Sequence, residues 1–124
     1  NEVAGCADQG TLLVRGAGVA ADVVRGERIL AGACERGSGD ACYQVARLYW
    51  DGPKPIARNR KAALDLHQRG CTLGNADACA FFGRALVRGD EIEKDVTRGA
   101  AVWQQACDAE NAWACGELAD IVRE

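Results

Sequence analysis

The stretch CERGSGDAC (Cys34–Cys42) decides the fold, because it returns twice, as CTLGNADAC (Cys71–Cys79) and CDAENAWAC (Cys107–Cys115). Each copy is Cys-x7-Cys, and the leading cysteines stand 37 and then 36 residues apart. A seventh cysteine, Cys6, lies 36 residues before Cys42. A period of this size marks a chain of stacked supersecondary units, none of which can bury its apolar face alone.

The segments that follow the second cysteines align as ACYQVARLYWDG (Ala41–Gly52), ACAFFGRALVRG (Ala78–Gly89) and ACGELADIV (Ala114–Val122), with an older copy, GCADQGTLLVRG (Gly5–Gly16), ahead of them. Ala41, Cys42, Val45, Ala46 and Tyr49 recur at i, i+3/i+4 and i+7/i+8, which is one face of a helix. Ala78, Cys79, Phe82, Gly83 and Leu86 repeat that spacing, as do Ala114, Cys115, Leu118, Ala119 and Val122. Asp40 and Asp77 precede these helices as expected N-caps, and Gly16, Gly52 and Gly89 close them. Segments that lead to the first cysteines carry a second stripe: Gly26, Ile29, Leu30, Ala33, Cys34; then Ala63, Leu66, His67, Gly70, Cys71; then Gly99, Val102, Trp103, Ala106, Cys107. Their expected N-caps are Asp22, Asn59 and Asp95. Gly37 and Gly74 end two of these helices, whereas Glu110 breaks the pattern in the third.

The predicted architecture is therefore all-α, a single domain over 1–124. It has antiparallel helix pairs at about 3–39, 40–76 and 77–112, and a final single helix at 113–124. The first cysteine of each pair ends a second helix, and the next cysteine opens the first helix of the following unit. Bonds Cys34–Cys42, Cys71–Cys79 and Cys107–Cys115 would staple each repeat to its successor, at roughly 2–3 kcal/mol per bridge for so short a loop. Reduced core thiols and a metal site are the rival readings. Zinc sites favour Cys-x2-4-Cys with further Cys or His, whereas the chain has no CxxC and one histidine, His67. We expect no metal and no cofactor. Cys6 is left without a partner, as a free thiol or the remnant of a bridge to an upstream repeat. A chain that starts at Asn1 without Met is expected to have lost an N-terminal segment.

The pattern Ala, Leu-Gly, Tyr, Gly of Sel1-like repeats is matched by Ala41, Val45-Ala46, Tyr49 and Gly52, and by Ala78, Phe82-Gly83, Leu86 and Gly89. The chain resembles that family, and its Cys-x7-Cys units resemble the disulfide-stapled subgroup typified by the Helicobacter cysteine-rich proteins. Departures are Glu110 for Gly, Trp113 for the Asp before the last helix, and His67 where an apolar residue is expected. The resemblance implies a right-handed α/α solenoid with a concave face lined by first helices, and disulfides in an exported protein, periplasmic or secreted. Seven cysteines in a short chain independently suggest an oxidising compartment.

Composition excludes some functions and leaves others open. A net charge of −3 and a pI near 5.2 argue against nucleic acid. No stretch approaches the ~20 apolar residues of a membrane span. Some members of the cysteine-rich subgroup are described as penicillin-binding or as weak β-lactamases. The single serine, Ser38, makes no Ser-x-x-Lys, and neither Ser-Asp-Asn nor Lys-Thr-Gly follows. His67 sits in register with Leu30 and Trp103 as a packing residue rather than a base, so no catalytic residue is expected. First-helix residues that face away from neighbouring layers include Tyr43, Arg47, Trp50, Arg84 and Arg88, with Arg15 one layer back. Arg, Tyr and Trp dominate interface hot spots, and guanidinium holds carboxylate by paired hydrogen bonds. These residues form the candidate surface for a protein partner. The expected function is a non-enzymatic protein–protein interaction module of an exported bacterial protein. Its narrower form is an immunity protein to a secreted toxin such as a phospholipase. The alternatives are a β-lactamase-like or penicillin-binding protein and a secreted host-interaction factor.

Overall fold

The computed structural model describes residues 20–123 and forms six helices with no strand among them: α1 (Ala20–Glu35), α2 (Gly39–Asp51), α3 (Arg60–Thr72), α4 (Ala76–Arg88), α5 (Val96–Asp108) and α6 (Ala112–Arg123). Each helix packs on the next in sequence. The closest associations are the hairpins α2–α3 and α4–α5, and α2 also touches α4 across the layer. The result is a right-handed α/α solenoid in which α2, α4 and α6 are first helices and α1, α3 and α5 are second helices. Cys6, Arg15, Gly16 and the Gly5–Gly16 copy lie outside the described residues.

Local chemistry sets the helix ends. The αL glycines Gly52 (φ 63°) and Gly89 (φ 74°) close α2 and α4, their N–H groups donating to the carbonyls of Leu48 and Ala85. The Asn59 and Asp95 side chains cap α3 and α5 by accepting from the Ala62 and Arg98 amides. Two expected caps are corrected. Asp40 and Asp77 lie inside the first turns of α2 and α4; the capping oxygens belong to Ser38, Asn75 and Asn111, which accept from Ala41, Ala78 and Ala114 at 3.1, 2.7 and 2.9 Å. These helices start earlier than the apolar stripe suggested. The displaced aspartates take a second job, accepting from the next repeat's cap: Asn75 Nδ2 donates to Asp40 (2.6 Å) and Asn111 Nδ2 to Asp77 (2.9 Å). Asp22 likewise lies in the first turn of α1 rather than ahead of it.

The turn between repeats survives the change at Glu110. Gly37, Gly74 and Glu110 occupy one register with φ of 100°, 95° and 71°. In all three turns the residue after them donates back into the helix: Ser38 to Ala33, Asn75 to Gly70 and Asn111 to Ala106. Glu110 accepts a strain of order 1 kcal/mol or more that glycine avoids.

The disulfides Cys34–Cys42, Cys71–Cys79 and Cys107–Cys115 link each second helix to the next first helix, with Cα separations of 4.6, 4.4 and 4.7 Å. The core falls into two clusters along the stack. Leu30, Ala33, Val45 and Leu48 fill the α1–α2 end, and Leu64, Phe82, Leu86, Val102 and Trp103 fill the rest. Tyr49 ties α2 back to α1 by donating its hydroxyl to Glu27.

Candidate functional site

The first-helix face between α2 and α4 gathers rings and guanidinium groups. Helical spacing puts Tyr43, Arg47 and Trp50 along one side of α2 and Phe81 and Arg84 on the facing side of α4. His67 enters between them from α3. Its ring stacks on Phe81 (centroids 4.1 Å apart, planes 21° apart) and meets Tyr43 at 5.5 Å. Trp50 meets the Phe81 ring edge-on at 4.8 Å. Three cations sit over these rings: Arg47 over Tyr43 at 5.7 Å, Arg84 over Phe81 at 4.6 Å and Arg60 over Trp50 at 4.5 Å.

His67 is fully buried, and neither ring nitrogen has a hydrogen-bond partner among the described residues. Burial, then the positive charges of Arg84 and Arg47, push its imidazole from 6.5 down to about 3. It is neutral at physiological pH and acts as an aromatic spacer. Two guanidiniums, Arg84 and Arg47, thus face one small area of a chain whose net charge is −3. Stacking on rings fixes each guanidinium plane while leaving its N–H donors available, which suits a carboxylate ligand.

Of the residues expected to bind a partner, Tyr43, Arg47, Trp50 and Arg84 come together. Trp50 is half-buried in the seam between α2 and α4 and braces Phe81 rather than standing free. Arg88 is exposed and lies one turn beyond the cluster. The sequence reading missed Phe81 and Arg60. The copies align Phe81 with polar Gln44 and Glu117, so its column showed no apolar signal. Further along the same face, a hollow of about 200 Å³ opens between α4 and α6, walled by Tyr43, Phe81 and Trp113. Ala80 also lines it, together with the polar residues Asp77, Arg84 and Asn111.

The hydroxyl of Ser38 is engaged in capping α2. Among the described residues no group of three or more His, Cys, Asp or Glu side chains is placed to hold a metal, and no helix is long and apolar enough to cross a membrane.

A six-helix stack of stapled hairpins with an arginine-and-ring face defines a class, the disulfide-bonded α/α repeat solenoid. Comparison of structures gives that class its fold name. The chain is similar to a Sel1 repeat protein from Oxalobacter formigenes, with a TM-score of 0.79 and 22% identity over 94% of this chain and 47% of the other. Helicobacter pylori cysteine rich protein B matches with a TM-score of 0.79 and 23% identity, over 94% of this chain and 88% of the other. A protective antigen of uropathogenic Escherichia coli matches at 0.83 with 18% identity, over 96% of this chain and 25% of the other. The fold is the Sel1-repeat solenoid, in its disulfide-stapled form. No family model matches the chain. Among curated proteins, cytochrome c oxidase assembly factor 7 of Xenopus tropicalis is 25% identical over 76 residues, 61% of this chain and 33% of its own length. Assembly factor 7A of Xenopus laevis is 25% identical over 88 residues, 71% of this chain and 38% of its own. The chain spans little more than a third of these curated relatives.

Proposed function

We propose that the chain is a non-enzymatic protein-interaction module that holds an acidic segment of a protein partner against its first-helix face. The observation that carries this reading is the pair of ring-seated guanidiniums, Arg47 and Arg84, on adjacent helices above a neutral buried histidine. Solenoids of this kind present extended surfaces built by repetition, and an arginine already immobilised on a ring loses little freedom when it takes a carboxylate. Tyr43 and Trp50 complete the contact surface, with Arg88 extending it by one turn. The name of the Xenopus relatives, assembly factor, is in keeping with a protein that works by holding another.

The compartment we propose is periplasmic or extracellular, since three disulfides linking consecutive repeats persist only in an oxidising setting. The narrowest form of the proposal makes the partner a secreted toxin, with this chain as its immunity protein.

The test is affinity capture from an envelope fraction with the oxidised protein as bait, beside an Arg47→Glu/Arg84→Glu control. One partner, eluted by rising salt and lost with the control, supports the reading. A partner retained by the control refutes the role of the arginine pair.

A further inference from the structure

The hollow between α4 and α6 has an internal template one repeat earlier. Register aligns Tyr43 of α2 with Ala80 of α4 and Gly116 of α6. In the α2 layer the Tyr43 ring packs beside His67 and lies under Arg47. In the α4 layer the equivalent of Arg47 is present, as Arg84, and so is an aromatic equivalent of His67, Trp103. The ring above them is missing, because Ala80 ends at Cβ. Trp103 is already committed from below: it is buried, and its Nε1–H donates to the Ala80 carbonyl at 2.9 Å.

Trp113 stands where the earlier repeats carry Asp40 and Asp77. It meets Trp103 edge-on at 5.5 Å, yet 44% of its surface is exposed. The layer thus keeps the guanidinium, seated on Phe81 instead, adds an aromatic wall and omits the ring at the Tyr43 register. The volume is right for that ring: a cavity of ~150 Å³ takes benzene, and this hollow measures about 200 Å³. The rim acid Asp77 is occupied at Oδ1 by the Asn111 amide.

We infer that this hollow is a subsite for an aromatic side chain of the partner, whose neighbouring carboxylate is held by Arg84. The inference rests on the first-helix face being the binding face and names the chemistry that face reads, a ring beside an acid. Arg84 is seated on Phe81, so the donor is fixed before the ligand arrives.

The experiment is a two-dimensional NMR titration of the oxidised protein with N-acetyltyrosine, N-acetyltyrosine amide and acetate. Both tyrosine derivatives should move the Trp113 indole and Ala80 amide signals. The free acid should bind roughly tenfold more tightly than the amide, the usual worth of a charge-assisted pair. Arg84→Gln should erase that ratio. Ala80→Tyr, which restores the ring found at Tyr43, and Trp113→Asp, which removes a wall that is 44% exposed and restores the residue type of Asp40 and Asp77, should each abolish the shifts. Shifts that miss Trp113 and Ala80, that survive in a folded Ala80→Tyr or in Trp113→Asp, or a ratio unchanged in Arg84→Gln, each overturn the inference. Acetate that still moves the Arg47 and Arg84 side-chain signals in that event leaves the acidic-partner reading standing while the ring subsite falls.

Discussion

Replacing His67 by leucine, the residue at its register in α1, gives the sharpest test of the packing described above. At pH 7 the effects nearly cancel. Removing two buried, unpartnered nitrogens relieves about 1–3 kcal/mol of desolvation. Losing the ring contacts to Phe81 and Tyr43 costs about 0.5–1.5 kcal/mol each. The pH dependence does not cancel. The folded imidazole titrates at about 3 and the unfolded one near 6.5, so the unfolded chain binds the extra proton first. Stability from this group is complete above pH 6.5 and is lost as pH falls toward 3. Two pH units below 6.5 the loss is roughly 3 kcal/mol at 1.36 kcal/mol per unit. Carboxylates also titrate in this range, but they are common to both proteins, and His67 is the only histidine. Urea unfolding of the oxidised wild type and His67→Leu at pH 7 and pH 4.5 isolates the term. The wild type should lose roughly 3 kcal/mol more than the variant between the two pH values. Equal losses would refute the argument, since they would mean that His67 is protonated in the folded state or reached by water.

Three further outcomes follow from the same geometry. Asn75→Ala removes both the α4 cap and the bond to Asp40, and should cost about 1–2 kcal/mol in urea unfolding; Asn75→Ser, which keeps only the cap, should recover part of that loss. Gly83→Ala puts a Cβ into the Trp103 indole, which is buried and held by its bond to the Ala80 carbonyl, and should cost about 1–3 kcal/mol with a change in Trp103 fluorescence. Under graded dithiothreitol followed by alkylation and mass spectrometry, Cys107–Cys115, whose cysteines are half-buried, should open before the buried Cys34–Cys42 bridge; removing the Cys107–Cys115 staple should cost about 2–3 kcal/mol.

The stack was legible because its determinants are periodic. One spacing of cysteines gave the unit length and the staples. Helix starts were less legible. Asp40 and Asp77 have the right chemistry for caps and stand directly before the Ala-Cys pairs, but Ser38, Asn75 and Asn111 reach the free amides first. What the aspartates do instead depends on a residue a whole repeat away, which no local pattern carries. The binding face was half legible. Charge and spacing picked out Arg47 and Arg84, but Phe81 and Trp113 fall in columns that are polar elsewhere, so their repeats had to be stacked before the rings could be seen to meet.

Those irregular columns also explain why the hollow lies where it does. The second-helix register reads Leu30, His67, Trp103 and ends on its largest member; the first-helix register opposite reads Tyr43, Ala80, Gly116 and shrinks. Close packing leaves little spare volume in each gap, so a larger residue on one helix is matched by a smaller one opposite. In the α2–α3 layer Tyr43 shares the gap with the smaller imidazole. In the α4–α5 layer Trp103 takes the interior, which requires Gly83 behind it and leaves Ala80 short above it. The depression on the surface is therefore the counterpart of a larger ring in the core, not an independent feature. Any substitution that shrinks Trp103 should alter the surface hollow even though Trp103 is only 3% exposed and does not line it. Repetition builds the scaffold, and the positions where one repeat departs from the next are where a partner finds something specific to hold.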